Sequence, residues 1–226
     1  REFIITKFIY TVPSVYVIRS FNSNTTFTSY PWLNKWLYRN ECMIAVSRAS
    51  KQKFQNLFGL NNIRTVYNGF DFDDIRNKAD QSIETPKKPY IIFYGRLDDK
   101  SKNIKLLLEA YKCSRLPEEH INLLILGNGP DAEMLKLCSD TLNLSDRVIF
   151  KQFLPNPYPY VKHSKFMVLS SRYEGFPRVI PETLSLGIPV VSVNCESGPN
   201  EVIIEAENGL LVENHNTEKL SEAMNR

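Results

Sequence analysis

The sequence SSRYEGFPRVIPETLSLGIPVVS (residues 170–192) follows a short apolar run at 166–169 and ends inside a second one at 189–193. Short apolar runs bounded by turn residues are typical of buried strands. Between them, residues 181–186 have the composition of a helix that ends before Gly187, and glycine commonly follows the last turn of a helix. A strand, a helix and a strand in this order predict one unit of a parallel sheet.

The same alternation extends over residues 89–226. Further strands are predicted at 90–94, 122–126 and 147–150, and further helices at 104–111, 131–142 and 218–224. Together they predict an α/β domain in which a Rossmann-like parallel sheet carries helices on both faces. Such sheets bind ligands outside the carboxyl ends of their strands. The candidate loops are therefore those that begin at Gly95, Gly127, Phe150, Ser170 and Asn194.

The first part of the chain predicts a second, incomplete α/β domain. Strands are expected at 14–18, 43–46 and 63–66, with helices at 32–38 and 48–58. Three strands do not easily close a core alone, so we interpret 1–68 as the tail of a truncated N-terminal Rossmann-like domain. The polar, Pro-bounded segment 69–88 is then expected to be a linker, and 89–226 the C-terminal domain. The chain opens without Met, and we expect it to be part of a longer protein.

The composition is that of a soluble globular protein, with 42% hydrophobic and 23% charged residues. No apolar run is long enough to span a bilayer. The four cysteines are scattered, without CxxC spacing, which favours free thiols in a reducing cytoplasm over a zinc site or disulfides: Cys42, Cys113, Cys138 and Cys195. We expect no metal, because no acidic cluster resembles a divalent-cation site.

Charge is uneven along the chain. Residues 1–80 contain 11 Lys and Arg against 6 Asp and Glu, whereas the remainder contains 17 against 19. The basic part is also rich in aromatic residues, namely Phe27, Tyr30, Trp32, Trp36 and Tyr38. This combination occurs at membrane and nucleic-acid surfaces, but it also fits a solvated surface over an aromatic core. We expect no nucleic-acid partner and retain peripheral membrane association as an expectation.

Two carboxylates lie within residues 170–192. Glu174 precedes the predicted helix and Glu182 lies in its second turn, which places the carboxylates on the order of 10 Å apart at about 1.5 Å of rise per residue. Carboxylates that act on one glycosidic bond in a retaining hydrolase are only about 5 Å apart. The spacing instead suits the two ends of a nucleotide-sugar, with its phosphates at the helix start near Pro177. Alternatively, Glu174 interacts with the helix dipole and Glu182 is an exposed helix residue.

Cations follow the first strand of the complete domain, in GRLDDKSKN (residues 95–103). Arginine can bind a diphosphate bidentately and lysine adds a point charge, so both can stabilise a departing nucleoside diphosphate. The alternative is a solvated surface, and the spacing alone does not distinguish Lys100 from Lys102. GNGP (127–130) lacks a full dinucleotide fingerprint, and a turn followed by a helix start is the favoured interpretation.

Eight ordered segments resemble the group-one family of retaining glycosyltransferases, which has two Rossmann domains (the GT-B fold): AVS (45–47), VYNGFD (66–71), YGRLDDKSKN (94–103), ILGNGP (125–130), RVIF (147–150), the opening segment 170–192, SGPNEVI (197–203) and NGLLV (208–212). The resemblance covers most of the chain. It implies that this is the C-terminal, donor-binding domain, with the tail of the N-terminal domain attached.

The resemblance also implies residue roles. Arg96 and Lys102 match the family's two pyrophosphate-binding cations, Glu174 is expected to face the donor sugar, and Glu182 to hold the ribose hydroxyls. The remaining expected donor contacts are Gly175, Phe176 and Pro177 in the loop beside the sugar and phosphates, and Gly127 and the backbone around Phe150 near the nucleotide. The family generally works without a metal. This chain departs from the family pattern at Gln152, where Gly is common, and at Pro181, which directly precedes Glu182.

The function implied is transfer of a hexose or N-acetylhexosamine, with retention, from a nucleotide-sugar to a glycan or lipid-linked acceptor. UDP is the default donor nucleotide, and surface-polysaccharide synthesis at the inner face of the cytoplasmic membrane is the expected setting. We expect the chain alone to be inactive. The alternatives are a GT-B sugar-nucleotide epimerase, a GT-B phosphorylase, or a non-catalytic nucleotide-sugar-binding module.

Overall fold

The computed structural model describes residues 15–18 and 31–226. The protein is α/β, with parallel sheets flanked by helices, as predicted. The chain divides into two compact units, Arg1–Tyr67 and Asn68–Arg226.

The described part of the first unit contains a three-stranded parallel sheet. Its strands β1 (Val15–Ile18), β2 (Cys42–Ala45) and β3 (Ile63–Thr65) follow one another across the sheet, and its helices are α1 (Pro31–Tyr38) and α2 (Arg48–Phe58). These elements confirm the predicted ones within about two residues. Ser47 begins α2 because its hydroxyl accepts a hydrogen bond from the Ser50 amide, which satisfies a free N–H of the first turn.

The predicted aromatic surface of this unit is described only in part. Trp32 and Trp36 are 70% and 47% exposed, whereas Tyr38 belongs to the core. Phe27 and Tyr30 lie outside the described residues. The observed core of this unit is small and apolar, with Met43, Phe54, Phe58, Leu60 and Ile63 among its buried side chains.

The second unit is built on a six-stranded, wholly parallel sheet. Its strands are β4 (Tyr90–Tyr94), β5 (Asn122–Leu126), β6 (Val148–Lys151), β7 (Met167–Leu169), β8 (Val190–Val193) and β9 (Gly209–Val212). They are arranged in the order β6-β5-β4-β7-β8-β9. This is the doubly wound Rossmann order, in which the chain reverses its direction of travel across the sheet between the first and fourth strands, here β4 and β7.

Helices cover both faces of this sheet. They are α3 (Phe72–Ala79), α4 (Asp99–Lys102), α5 (Ile104–Cys113), α6 (Ala132–Thr141), α7 (Tyr158–Lys162), α8 (Val179–Leu184), α9 (Pro199–Val202) and α10 (Thr217–Met224). Successive residues of β4 point to opposite faces: Ile91 and Phe93 enter one core with α5 and α10, while Tyr90, Ile92 and Tyr94 enter another with α7 and α8. The two cores hold the carboxyl edge of the sheet in place.

The segment 69–88, predicted to be a linker, contains α3 and is folded onto the second unit. Asp71 caps α3, and Ile75 and Ala79 bury one face of it. The Asn156 side-chain amide donates to the carbonyl of Lys78 at 2.9 Å, so the loop before α7 is bonded to the end of α3. The polar composition that suggested a linker instead covers the exposed face of a short helix.

Candidate functional site

The carboxyl ends of β4 and β7 lie side by side, and the loops that leave them are bonded together. The Ser170 hydroxyl donates to the carbonyl of Lys102 at 2.9 Å, and the amide of Arg172 donates to the carbonyl of Ser101 at 2.8 Å. Since ligands of doubly wound sheets bind at this crossing of the chain, the loops place Lys102 and the segment after β7 at the expected position of a ligand.

Lys102 and Glu174 form an ion pair at this point. Lys102 Nζ donates to Glu174 Oε1 at 2.6 Å, and the side chains are 24% and 11% exposed. The hydroxyl of Ser171 donates to the same oxygen at 2.6 Å, and that of Ser197 donates to the Glu174 backbone carbonyl. Among the described residues, Glu174 Oε2 accepts no hydrogen bond. Glu174 is therefore fixed through one of its two carboxylate oxygens.

The predicted cations fall into different surroundings. Lys102 is partly buried against Glu174, whereas Arg96 and Lys100 are exposed and, within the described part of the chain, form no ion pair. The structure thus separates Lys102 from Lys100, which the spacing in the sequence left open. Glu174 lies five residues before α8 and its carboxylate is bonded to Lys102, so interaction with the helix dipole is not its role.

Glu182 is buried, being 8% exposed, and the alternative of an exposed helix glutamate is wrong. Its Oε1 lies 3.5 Å from Nε of Arg178, which is one turn earlier. Burial raises the pKa of Glu182, and the nearby charge of Arg178 partly offsets this rise. The helix begins at Val179, after Pro177 and not at it as predicted, so Glu182 belongs to its first turn and not its second.

The loop 175–177 is packed against the loop that follows β8. Gly175 and Pro177 are buried, and Pro177 lies before the helix cap at Arg178, not inside the first turn as predicted. Gly198 has φ +104°, and a Cβ at this position would lie 2.2 Å from Cδ of Pro177. Only glycine allows the two loops to approach this closely. Phe176 and Phe70 have ring centroids 6.3 Å apart, which brings the segment before α3 to the same loop.

Gly127 and Phe150 mark the neighbouring strand ends. A Cβ on Gly127 would lie 1.8 Å from the carbonyl oxygen of Gly95, so the loops after β4 and β5 touch through their backbones. The amide of Gly127 donates to the carbonyl of Lys151 at 2.9 Å, which ties in the end of β6. Phe150 lies inside β6, and its side chain packs against the core.

Cys195 is the cysteine that lies beside the ion pair. It is buried after β8, and burial, together with the nearby charge of Glu174, raises the pKa of its thiol to about 12. All four cysteines are free thiols. Among residues 15–18 and 31–226, no group of three or more His, Cys, Asp or Glu side chains could hold a metal ion. In the same ranges, no helix is long and apolar enough to cross a membrane.

Several polar residues of the site were missed by the sequence interpretation. These are two buried serines and the neighbours of Glu182, namely Ser171, Ser197, Tyr94 and Arg178. Ser171 and Arg178 lie within residues 170–192, three residues before Glu174 and four before Glu182 respectively. Their spacing was visible, but the identity of their partners depends on how the loops fold.

Comparisons with known proteins agree with this fold. The family model of glycosyl transferases group 1 matches residues 74–226. The N-acetylgalactosamine-N,N'-diacetylbacillosaminyl-diphospho-undecaprenol 4-alpha-N-acetylgalactosaminyltransferase of Campylobacter jejuni is 36% identical over 159 residues, covering 70% of this chain and 42% of that protein. The lipopolysaccharide 1,6-galactosyltransferase of Escherichia coli K12 is 29% identical over 174 residues, covering 74% and 47%.

A solved structure of Anabaena Alr3699/HepE in complex with UDP-glucose shares the fold, with a TM-score of 0.81 at 22% identity, covering 99% of this chain and 64% of that one. The chain spans about half the length of the curated relatives it matches. The family model covers well over half of the chain and includes Lys102, Glu174 and Glu182. This chain belongs to the group 1 glycosyltransferase family.

Proposed function

We propose that the chain is the donor-binding part of a retaining glycosyltransferase that transfers a hexose or N-acetylhexosamine from a UDP-sugar to a glycan or lipid-linked acceptor. The observation that carries this proposal is the Lys102–Glu174 pair at the crossing between β4 and β7, in a member of this family. The pair places a cation and a carboxylate at the position where doubly wound sheets bind their ligands.

Lys102 would stabilise the departing nucleoside diphosphate. Its ammonium has three N–H groups, of which one donates to Glu174. The other two can donate to phosphate oxygens on which negative charge develops as the sugar leaves. Arg96, which is exposed, can add a bidentate contact from its guanidinium. In this proposal the two cations perform the work that a bound metal performs in other transferases.

Glu182 would hold the ribose, and Glu174 the transferred sugar. A carboxylate accepts hydrogen bonds from two vicinal hydroxyls, and a buried site with little water makes those bonds stronger. Glu182 already has Arg178 and Tyr94 beside it, so its orientation is set before the ligand arrives. Glu174 Oε2 is the oxygen that remains for a sugar hydroxyl.

The names of the relatives support the class of reaction and acceptor. The Campylobacter protein is named for an alpha linkage and for a diphospho-undecaprenol acceptor, and the Escherichia coli protein for lipopolysaccharide. From an α-linked UDP-sugar, an α-linked product requires retention. We therefore propose retention, a surface-polysaccharide or lipid-linked acceptor, and work at the inner face of the cytoplasmic membrane.

Nucleotide binding is the first test. Calorimetric titration of the chain with UDP, GDP and ADP is expected to show binding of UDP at millimolar affinity or better, which Lys102→Ala and Glu182→Ala weaken at least about tenfold, the effect of about 1.4 kcal/mol. Lys136→Ala is the control, because Lys136 pairs with Glu133 on the exposed surface of α6. If no nucleotide binds, and the site variants behave like the control, the donor-site proposal is wrong.

Transfer is the second test. A longer form of the protein that carries this chain is screened against a panel of nucleotide-sugars, with product configuration read from the anomeric proton coupling. An α-linked product from a UDP-α-sugar, formed equally well with EDTA, supports retention without a metal. A β-linked product contradicts retention, and binding without turnover of any donor favours the non-catalytic binding module.

A further inference from the structure

Three serine hydroxyls surround the Lys102–Glu174 pair, and all three serines are buried: Ser170, Ser171 and Ser197. Ser170 and Ser171 are the two residues that follow β7. Ser170 donates to the backbone carbonyl of Lys102, and Ser171 donates to the carboxylate of Glu174. Two adjacent serines thus fix the two partners of one ion pair, one through the backbone and one through the side chain.

The hydrogen bond of Ser171 differs from the other two because its acceptor is charged. Its hydroxyl lies 2.6 Å from Glu174 Oε1, the oxygen that also accepts from Lys102 Nζ. Short O–H···O⁻ bonds are about twice as strong as bonds between neutral groups. Both donors bind Oε1, and among the described residues none binds Oε2.

Lys102 and Ser171 are unequal anchors for Glu174. When a diphosphate is present, Lys102 shares its N–H groups with the phosphates, and its attraction to Glu174 weakens. Ser171 is fully buried, and within residues 15–18 and 31–226 its hydroxyl donates to Glu174 alone. During a reaction the position of the carboxylate would therefore depend on Ser171.

We propose that Ser171 is a positioning residue for sugar transfer, which holds Glu174 by Oε1 so that Oε2 keeps its orientation towards the donor sugar while Lys102 is engaged with the phosphates. This inference rests on the proposed function. Ser171 touches neither nucleotide nor sugar in this role and acts through Glu174 alone.

The test uses Ser171→Ala in the longer, active form of the protein, with UDP affinity measured alongside turnover. Because Lys102 and Glu182 are untouched, the affinity for UDP is expected to change by less than about threefold, whereas kcat falls by about tenfold or more. Ser164→Ala is the matched control: Ser164 is also buried, and its hydroxyl donates to the Val161 carbonyl at 2.7 Å, before β7 begins. It is expected to cost similar stability and leave kcat unchanged.

Two further variants distinguish positioning from general structural support. In a Glu174→Ala background, Ser171→Ala is expected to lower kcat no further, because its effect passes through Glu174. Ser171→Thr retains the hydroxyl but adds a methyl to a filled site, so it is expected to lower Tm more than Ser171→Ala while keeping a higher kcat. A structural role predicts the same rank order for Tm and kcat.

The inference is overturned if Ser171→Ala keeps kcat within about twofold of wild type, or if activity of the Ser171 variants simply follows their Tm. Failure of the proposed function gives a different result. In that case the unmutated protein neither binds UDP nor turns over a sugar donor, so Glu174→Ala has no kcat to lower.

Discussion

The Lys102–Glu174 pair is expected to stabilise the fold much more than an ordinary surface pair. Replacing Lys102 with Met removes the cation but keeps most of the apolar stem, and it leaves a carboxylate that is 11% exposed with the hydroxyl of Ser171 as its side-chain partner. Breaking a fully buried pair costs about 3–5 kcal/mol, and exposed pairs are worth about 0–1 kcal/mol. With Lys102 itself 24% exposed, we expect Lys102→Met to lower the free energy of unfolding by about 2 kcal/mol.

A double-mutant cycle isolates this interaction. Urea denaturation of wild type, Lys102→Met, Glu174→Gln and the double variant gives a coupling free energy, expected to be about 1.5 kcal/mol. The control cycle uses Lys136 and Glu133, which lie 2.8 Å apart with side chains 47% and 83% exposed. Their coupling is expected to be about 0.3 kcal/mol, as for other helix pairs on a surface.

An equal coupling free energy in the two cycles would contradict this expectation. It would mean that water screens Lys102 and Glu174 as fully as it screens the pair on α6, and that burial at the end of β7 does not strengthen the interaction. UDP gives an independent check, since a ligand at about 100 times its Kd stabilises the native state by about 2.7 kcal/mol. This increment is expected to be smaller for Lys102→Met, because the lysine would contribute to both the fold and the nucleotide.

Three further predictions concern residues that the site holds under constraint. Glu182→Gln is expected to raise the free energy of unfolding near pH 7 while weakening UDP binding. Burial raises the folded-state pKa of Glu182, so the contribution of Glu182 to stability is present below pH of about 4.5 and is lost as pH rises through the higher folded pKa. The gain from Gln should therefore vanish when denaturation is repeated at acid pH. Gly198→Ala is expected to lower the stability derived from Tm by about 1–3 kcal/mol and to weaken UDP binding, since its Cβ meets Pro177. The control is Gly187→Ala, at φ +74° with nothing within 4 Å, which should cost about 1 kcal/mol and leave UDP binding unchanged. Equal losses of stability and of UDP affinity in the two variants would contradict the packing argument. Gly127→Ala is expected to cost more than about 3 kcal/mol, detectable as poor soluble yield, because its Cβ would overlap the carbonyl of Gly95; near-normal yield and Tm would contradict this.

Much of the fold follows from local sequence signals. The strands of the second unit that were predicted are apolar runs bounded by glycine, proline or polar residues, and such runs have few other ways to bury themselves. β9 escaped prediction because it lies at the sheet edge and its residues are only half-buried. The helix α3 escaped because two buried residues, Ile75 and Ala79, carry its apolar face among six polar or exposed ones.

The site was predictable in its charged residues but not in its hydrogen bonds. Glu174, Glu182 and Lys102 belong to spaced motifs that the sequence displays directly. Ser171 is one of many serines, and only the folded loop shows that its hydroxyl reaches Glu174. The close approach of Gly198 to Pro177 joins loops after different strands, so no local pattern contains it.

The two glutamates illustrate how one residue type can take two roles at a single edge of a sheet. Glu174 has a cation and a hydroxyl on one oxygen, so its charge is already compensated before a ligand arrives. Glu182 is buried with a raised pKa and only a 3.5 Å contact to an exposed arginine, so its charge is compensated poorly. A folded protein gains nothing from an undercompensated buried carboxylate, and its stability would rise if the residue were neutral. The destabilising effect of the buried Glu182 carboxylate favours ligand binding, because hydrogen bonds from the hydroxyl groups of a ligand then replace the missing solvation. The difference in charge compensation between Glu174 and Glu182 therefore predicts how the ligand is oriented. Its phosphates lie beside Lys102, and its diol lies on Glu182.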